Sequence, residues 1–134
     1  MKALFYGKHA VNRAAHAAAQ QLDPEALGDG IFRIAPEAAA ETAARYLQVN
    51  LRVDASGAPL AGSALKEPVE VVVFEIINAD ETFPYTYRNN DYQYEVILHR
   101  PGVVLIALIR YPRAFELMED IEWYIKGAAE VTAG

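Results

Sequence analysis

Glu75 stands inside the run Val71-Val72-Val73-Phe74-Glu75-Ile76-Ile77. A carboxylate set among apolar neighbours is the kind of group whose proton affinity burial tunes toward acid–base work. If residues 78–81 turn the chain, Glu95 projects from the same sheet face with the Pro84 strand between them, two strand spacings or roughly 9–10 Å away. That gap suits an inverting pair of carboxyls, one acting as acid and the other as base on a water. Pro84 counts against this register because it gives the ladder no donor, and glutamates at sheet rims are commonly plain solvated charges.

The other candidates carry less. His9 and His16 lie seven residues apart, two turns along one helical face, whereas joint metal ligation from a helix needs a spacing of three or four. They read as a solvated face. His99 precedes Pro101-Gly102, and its nearest carboxylate in sequence, Glu95, is four strand residues or roughly 13 Å off, so it reads as a turn-flanking histidine. Gly28-Asp29-Gly30 has no Gly-Lys-Ser/Thr ending and stands before a strand rather than between strand and helix, unlike a phosphate loop. Ser56 and Ser63 lack a Gly-x-Ser-x-Gly frame, and there is no acid-rich calcium loop. Cysteine is absent, which excludes disulfides, thiolate metal sites and thiol nucleophiles. The expectation is no catalytic residue, no cofactor and no metal. The rival reading is a small-molecule-binding protein or small enzyme with a pocket between sheet and helices, using Glu75, Glu95 or His99.

The densest feature is aromatic. Tyr85, Tyr87, Tyr92 and Tyr94 are four of the eight tyrosines and fall almost symmetrically about Asn89-Asn90. With Asn89-Asn90 as a two-residue turn, which asparagine favours by tolerating positive φ, Arg88 faces Asp91, Tyr87 faces Tyr92 and Tyr85 faces Tyr94. Alternation then places Phe83, Tyr85, Tyr87, Tyr92, Tyr94 and Val96 on one face, and Pro84, Thr86, Arg88, Asp91, Gln93 and Glu95 on the other. Three uses are open to that face. It packs on the protein's own core; it offers Phe83, Tyr85, Tyr87, Tyr92 and Tyr94 to another chain, since tyrosine is enriched at interfaces; or it stacks a ligand, for which no basic residues stand ready to hold an anion.

The elements that position these residues follow from periodicity. Alanine-rich residues 11–22 form a helix with Val11, Ala14, Ala15, Ala18 and Leu22 on one face. Asp23-Pro24-Glu25 caps a short turn that Gly28-Asp29-Gly30 ends, and residues 31–34 read as a brief strand. Residues 36–47 predict a second helix, after which Val49, Leu51 and Val53 alternate like a half-buried strand. Residues 54–68, with Gly57, Pro59, Gly62 and Pro68, predict an irregular connection serving as an arm ordered on binding. Residues 69–78, 92–99 and 103–111 predict strands, with Pro101-Gly102 turning between the last two. Pro112 predicts a closing helix to Lys126, with Ala114, Leu117, Met118, Ile121, Tyr124 and Ile125 on its apolar face and Glu116, Glu119 and Asp120 on its wet one. The fold predicted is a single α+β domain over 1–134: a mainly antiparallel meander of about four strands, packed by a C-terminal amphipathic helix and alanine-rich N-terminal helices.

The 134 residues are 53% hydrophobic, enough for one domain with its own core. A net charge of −6 with scattered basic residues opposes nucleic acid as a partner. Lys2 is followed by only four apolar residues, too few for a secretion signal, and the longest apolar run, 103–109, is far below the roughly 18 needed to span a membrane. A soluble, cytoplasmic chain starting at Met1 is expected. Residues 71–77 and 103–109 are apolar on both faces, so the sheet needs cover on both sides, from the alanine helices or from a neighbouring subunit. The function expected is a non-enzymatic structural or assembly subunit that self-associates or docks into a larger particle, a small virion tail or connector protein being one concrete form.

Overall fold

The computed structural model describes residues 2–63, 65, 67–111 and 121–132. The chain runs α1 (Lys2–Ala19), α2 (Pro24–Gly28), α3 (Pro36–Leu51), β1 (Glu70–Ile77), β2 (Tyr85–Asn89), β3 (Tyr94–Leu98), β4 (Gly102–Tyr111) and β5 (Ile121–Glu130). The class is α+β with antiparallel sheets, as the periodicity predicts. Its connectivity differs from a meander. β4 is the centre of a three-stranded sheet ordered β1-β4-β5, whereas among the described residues β2 and β3 pair only with each other.

The central strand explains the arrangement. Residues 103–109 are buried on both faces, alternate side chains entering different cores. Val103, Leu105, Ala107 and Ile109 meet α1 and α3, while Val104 and Ile106 meet the β2–β3 hairpin. The sheet is therefore covered on both sides within one chain: helices on one face, hairpin on the other.

On the helix side, Ala10, Ala14 and Ala18 with Val11, Ala15 and Ala19 make a buried stripe of short side chains along α1, matched on α3 by Ala39, Ala43, Leu47 and Leu51. Short side chains let backbones approach, and at Gly127 of β5 the sheet comes close to α1. A Cβ there would stand 3.0 Å from both Val11 Cγ1 and Asn12 Oδ1 of α1. Gln20 then ties the end of β5 to α1. Its Nε2 donates to the Glu130 carbonyl at 3.0 Å, and its Oε1 accepts from the Thr132 amide at 2.9 Å.

Four expectations need correction. Residues 121–130 are a strand and not the end of a closing helix; Ile121, Tyr124 and Ile125 fit helical spacing, but Trp123-Tyr124-Ile125 suits a strand equally, and β4 needs a partner on its second edge. The remainder of that helix, with Pro112, Ala114, Glu116, Leu117, Met118, Glu119 and Asp120, lies outside the described residues. Val49 and Leu51 continue α3, with Leu47 and Leu51 buried one turn apart and Val49 facing solvent, until Arg52 ends the helix at φ 56°. Residues 31–34 supply only a bridge from Ile34 to Leu22, and the Asn78 side chain completes it by pairing with both the amide and the carbonyl of Ile34 at 2.9 Å. In the 54–68 connection, predicted as an arm, the described residues are tied down. Asp54 Oδ1 accepts from the amides of Ser56 and Ala58, Val53 bridges Pro59, and Leu65 and the following Val69 are buried against the helix-side core.

Candidate functional site

β2 and β3 bring the chemistry-bearing residues together, and their register differs from the predicted one. Arg88 pairs with Glu95, Tyr87 with Val96 and Tyr85 with Leu98, leaving Asn90–Gln93 as the loop. The reason is Asn89. Its side-chain carbonyl accepts from the amides of Asp91 at 3.1 Å and Tyr92 at 3.3 Å, closing an Asx turn, and Gln93 returns the chain through φ 51°. The pairing is displaced by four residues from the two-residue turn. An even displacement keeps each residue on its predicted face, so Tyr85, Tyr87, Tyr94 and Val96 still project together.

That face is turned onto the chain's own sheet. Tyr87 is 6% exposed, beside Val104, Ile106, Ile77 and Leu98, and Phe83, Tyr85, Tyr92 and Tyr94 are partly buried around it. A β-bulge in β1 helps by directing both Val72 and Val73 to the hairpin side. Tyr87 and Tyr94 meet at a ring separation of 6.4 Å, and Tyr92 leans on Tyr124 of β5 at 5.0 Å. The opposite face carries the exposed Thr86, Arg88, Glu95 and Ile97. There Arg88 Nε donates to Glu95 Oε1 at 2.7 Å.

The predicted carboxylate pair is not assembled. Glu95 is on the outward face of the hairpin with Arg88, whereas Glu75 on β1 accepts the Tyr87 hydroxyl at the inward face. Tyr87 in turn accepts from Asn89 Nδ2 at 3.1 Å, giving a chain Asn89–Tyr87–Glu75 at the edge of the hairpin-side core. Burial, reinforced by the Glu75 hydrogen bond, holds the Tyr87 phenol above its ordinary 10.0, and burial does the same to Tyr94. A phenol held protonated is a fixed donor and no general base at neutral pH. Glu75 stands out from its apolar neighbours alone, but nothing local marks its partner, since twelve residues and a change of sheet separate them.

The His99 amide donates to Glu130 Oε2 at 2.7 Å, a contact that fastens the start of the β3–β4 turn to β5. His9 and His16 are exposed on α1 as their spacing predicts. Among the described residues no three His, Asp or Glu side chains are grouped to hold a metal ion, and no helix is long and apolar enough to cross a membrane.

An open pocket of about 540 Å³ lies at this rim, bounded by Glu75, the β2 residues Tyr85 to Asn89, Arg88 among them, and the turn residues Asn90 and Asp91. A second, of about 510 Å³, opens between β3 and the end of β5. No protein-family model matches the chain, and no curated protein or solved structure matches it either.

Proposed function

We propose that this chain is a non-enzymatic structural or assembly subunit that acts by self-association or by docking into a larger particle, and that the outer edge of β1 is the surface it uses. The single observation that carries the reading is that β1 ends its sheet with no strand beside it among the described residues, while Val71 on that strand is 50% exposed. An unpaired edge presents a row of amides and carbonyls to another strand, and natural proteins usually blunt such edges with lysine, proline or a covering segment. β1, Glu-Val-Val-Val-Phe-Glu-Ile-Ile, carries neither lysine nor proline, and the bulge between Val71 and Val73 is the one such device on it.

Two copies meeting edge to edge about a two-fold axis would join their sheets in the antiparallel sense that the fold already uses. With the axis between Val73 and Phe74, Glu75 stands opposite Val72 and Glu70 opposite Ile77, so like charges do not face each other. The acidic balance of the chain argues against nucleic acid as a partner. A cytoplasmic home, or a place in an assembled particle such as a virion tail or connector, fits the same reading.

Size-exclusion chromatography with light scattering tests it. The wild type is expected to exceed the monomer mass at high micromolar concentration, and Val71→Lys to shift the species toward monomer with little change in melting temperature. A strict monomer at that concentration contradicts self-association.

A further inference from the structure

We infer that Gln20 and Lys126 close the outer edge of β5 to strand addition, so that self-association stops at a dimer, an inference that rests on β1 being the associating edge. The sheet β1-β4-β5 has two ends, and among the described residues β5 is the second. A chain that pairs through one edge about a two-fold axis closes at two copies. One that pairs through both edges keeps adding copies.

The last bond between β5 and the β4 side fixes which way the neighbouring backbone groups point. The Val131 amide donates to the Pro101 carbonyl at 2.8 Å, so by alternation the Glu130 carbonyl and the Thr132 amide face away from β4, where a further strand would lie. The Gln20 carboxamide takes both. Its Nε2 donates to the Glu130 carbonyl at 3.0 Å and its Oε1 accepts from the Thr132 amide at 2.9 Å. A carbonyl and an amide two residues apart are the pair that one residue of a parallel neighbour engages, so the side chain stands in for that residue. The rest of its capacity is filled as well: Nε2 donates to the His16 carbonyl at 3.1 Å, and Oε1 accepts the Thr132 hydroxyl at 3.0 Å. An incoming strand would have to break this whole set, which anchors the end of β5 to the end of α1.

Lys126 guards the same edge farther back. It stands half-buried within β5, four residues before Glu130, so its backbone groups face outward by the same alternation. A strand laid beside it would crowd the ammonium and strip away its water, the means by which an edge lysine deters pairing. The two ends of the sheet thus differ in kind, since β1 has a bulge but no lysine.

Two substitutions remove the guards. Gln20→Met keeps a long, helix-compatible side chain without the carboxamide, and Lys126→Thr replaces the charge with a good strand former. The double variant is read by size exclusion with light scattering at high micromolar concentration. With β1 intact its mass is expected to rise past the dimer and to grow with concentration. With β1 blocked by Val71→Lys, it is expected to exceed the monomer mass and to gain concentration-dependent amide protection in β5, while Val71→Lys alone stays monomeric. A monomer in the blocked background overturns the inference, and so does a wild type that already grows past a dimer. A monomeric wild type removes the role of β1 and with it the dimer, and the blocked background still decides whether β5 is guarded. Gln20→Asn, whose carboxamide falls one methylene short of the strand, takes the place of Gln20→Met if that variant does not fold.

Discussion

The two faces of β4 are covered by opposite means. Against the helices the sheet meets alanine: α1 presents Ala10, Ala14, Ala15, Ala18 and Ala19, and backbones draw close, as over Gly127. Against the hairpin it meets tyrosine, whose rings span a wider gap and whose hydroxyls must find partners at the rim. Among the described residues the first core carries no buried polar side chain. The second carries a polar margin, in which Asn89, Tyr87 and Glu75 satisfy one another.

The contrast breaks first at Tyr87. Tyr87→Ala removes the ring that fills the hairpin-side core and is expected to cost about 3–5 kcal/mol, seen as a large fall in the urea midpoint. An unchanged midpoint would mean that the ring serves a partner and not this core. On the other side the sensitive change is the reverse, adding volume. Ala14→Leu should cost about 1–3 kcal/mol by forcing α1 away from the sheet, whereas Ala40→Leu on the exposed face of α3 should stay within about 0.5 kcal/mol.

A smaller effect sharpens the polar margin. Tyr87→Phe keeps the ring and should cost about 0.5–1.5 kcal/mol. It also changes the alkaline limb. With folded phenols held above 10.0, folded and unfolded chains are both protonated below that pH and the contribution is fully present. As pH rises through 10.0 the unfolded chain ionises first and stability falls until the folded phenols titrate. Urea midpoints between pH 9 and 12 should fall more steeply in the wild type than in Tyr87→Phe.

The smallest effect lies outside both cores. Hydrogen bonds from the Ser56 hydroxyl and the Ala58 and Ser56 amides hold the exposed Asp54 carboxyl below its ordinary 3.8. Its contribution is present above that value and fades as pH falls below it. Asp54→Ala should speed amide exchange at Ser56 and Ala58 without moving the global midpoint.

Most of this was legible where periodicity is decided locally. The alanine stripe of α1, the Asp23 cap of α2 and the double-faced apolarity of β4 follow from side-chain spacing alone. The tyrosine face was legible for a subtler reason: strand faces depend on parity, so a register displaced by four residues left its membership intact. What spacing could not reveal was set by distant contacts. Residues 121–125 fit a helix or a strand, and the unpaired side of β4 decides between them. Asn89 looked like half of a tight turn, and its side-chain bonds to Asp91 and Tyr92 make it the hinge of a longer one. The partner of Glu75 depended on which sheet the hairpin would cover.

Hydrogen–deuterium exchange at two protein concentrations, low and high micromolar, compares the two candidate surfaces in one experiment. The account predicts that amides of β1 become slower to exchange at the higher concentration while those of β2 and β3 keep their rates. Concentration-dependent protection in the tyrosine hairpin, with β1 unaffected, would contradict it.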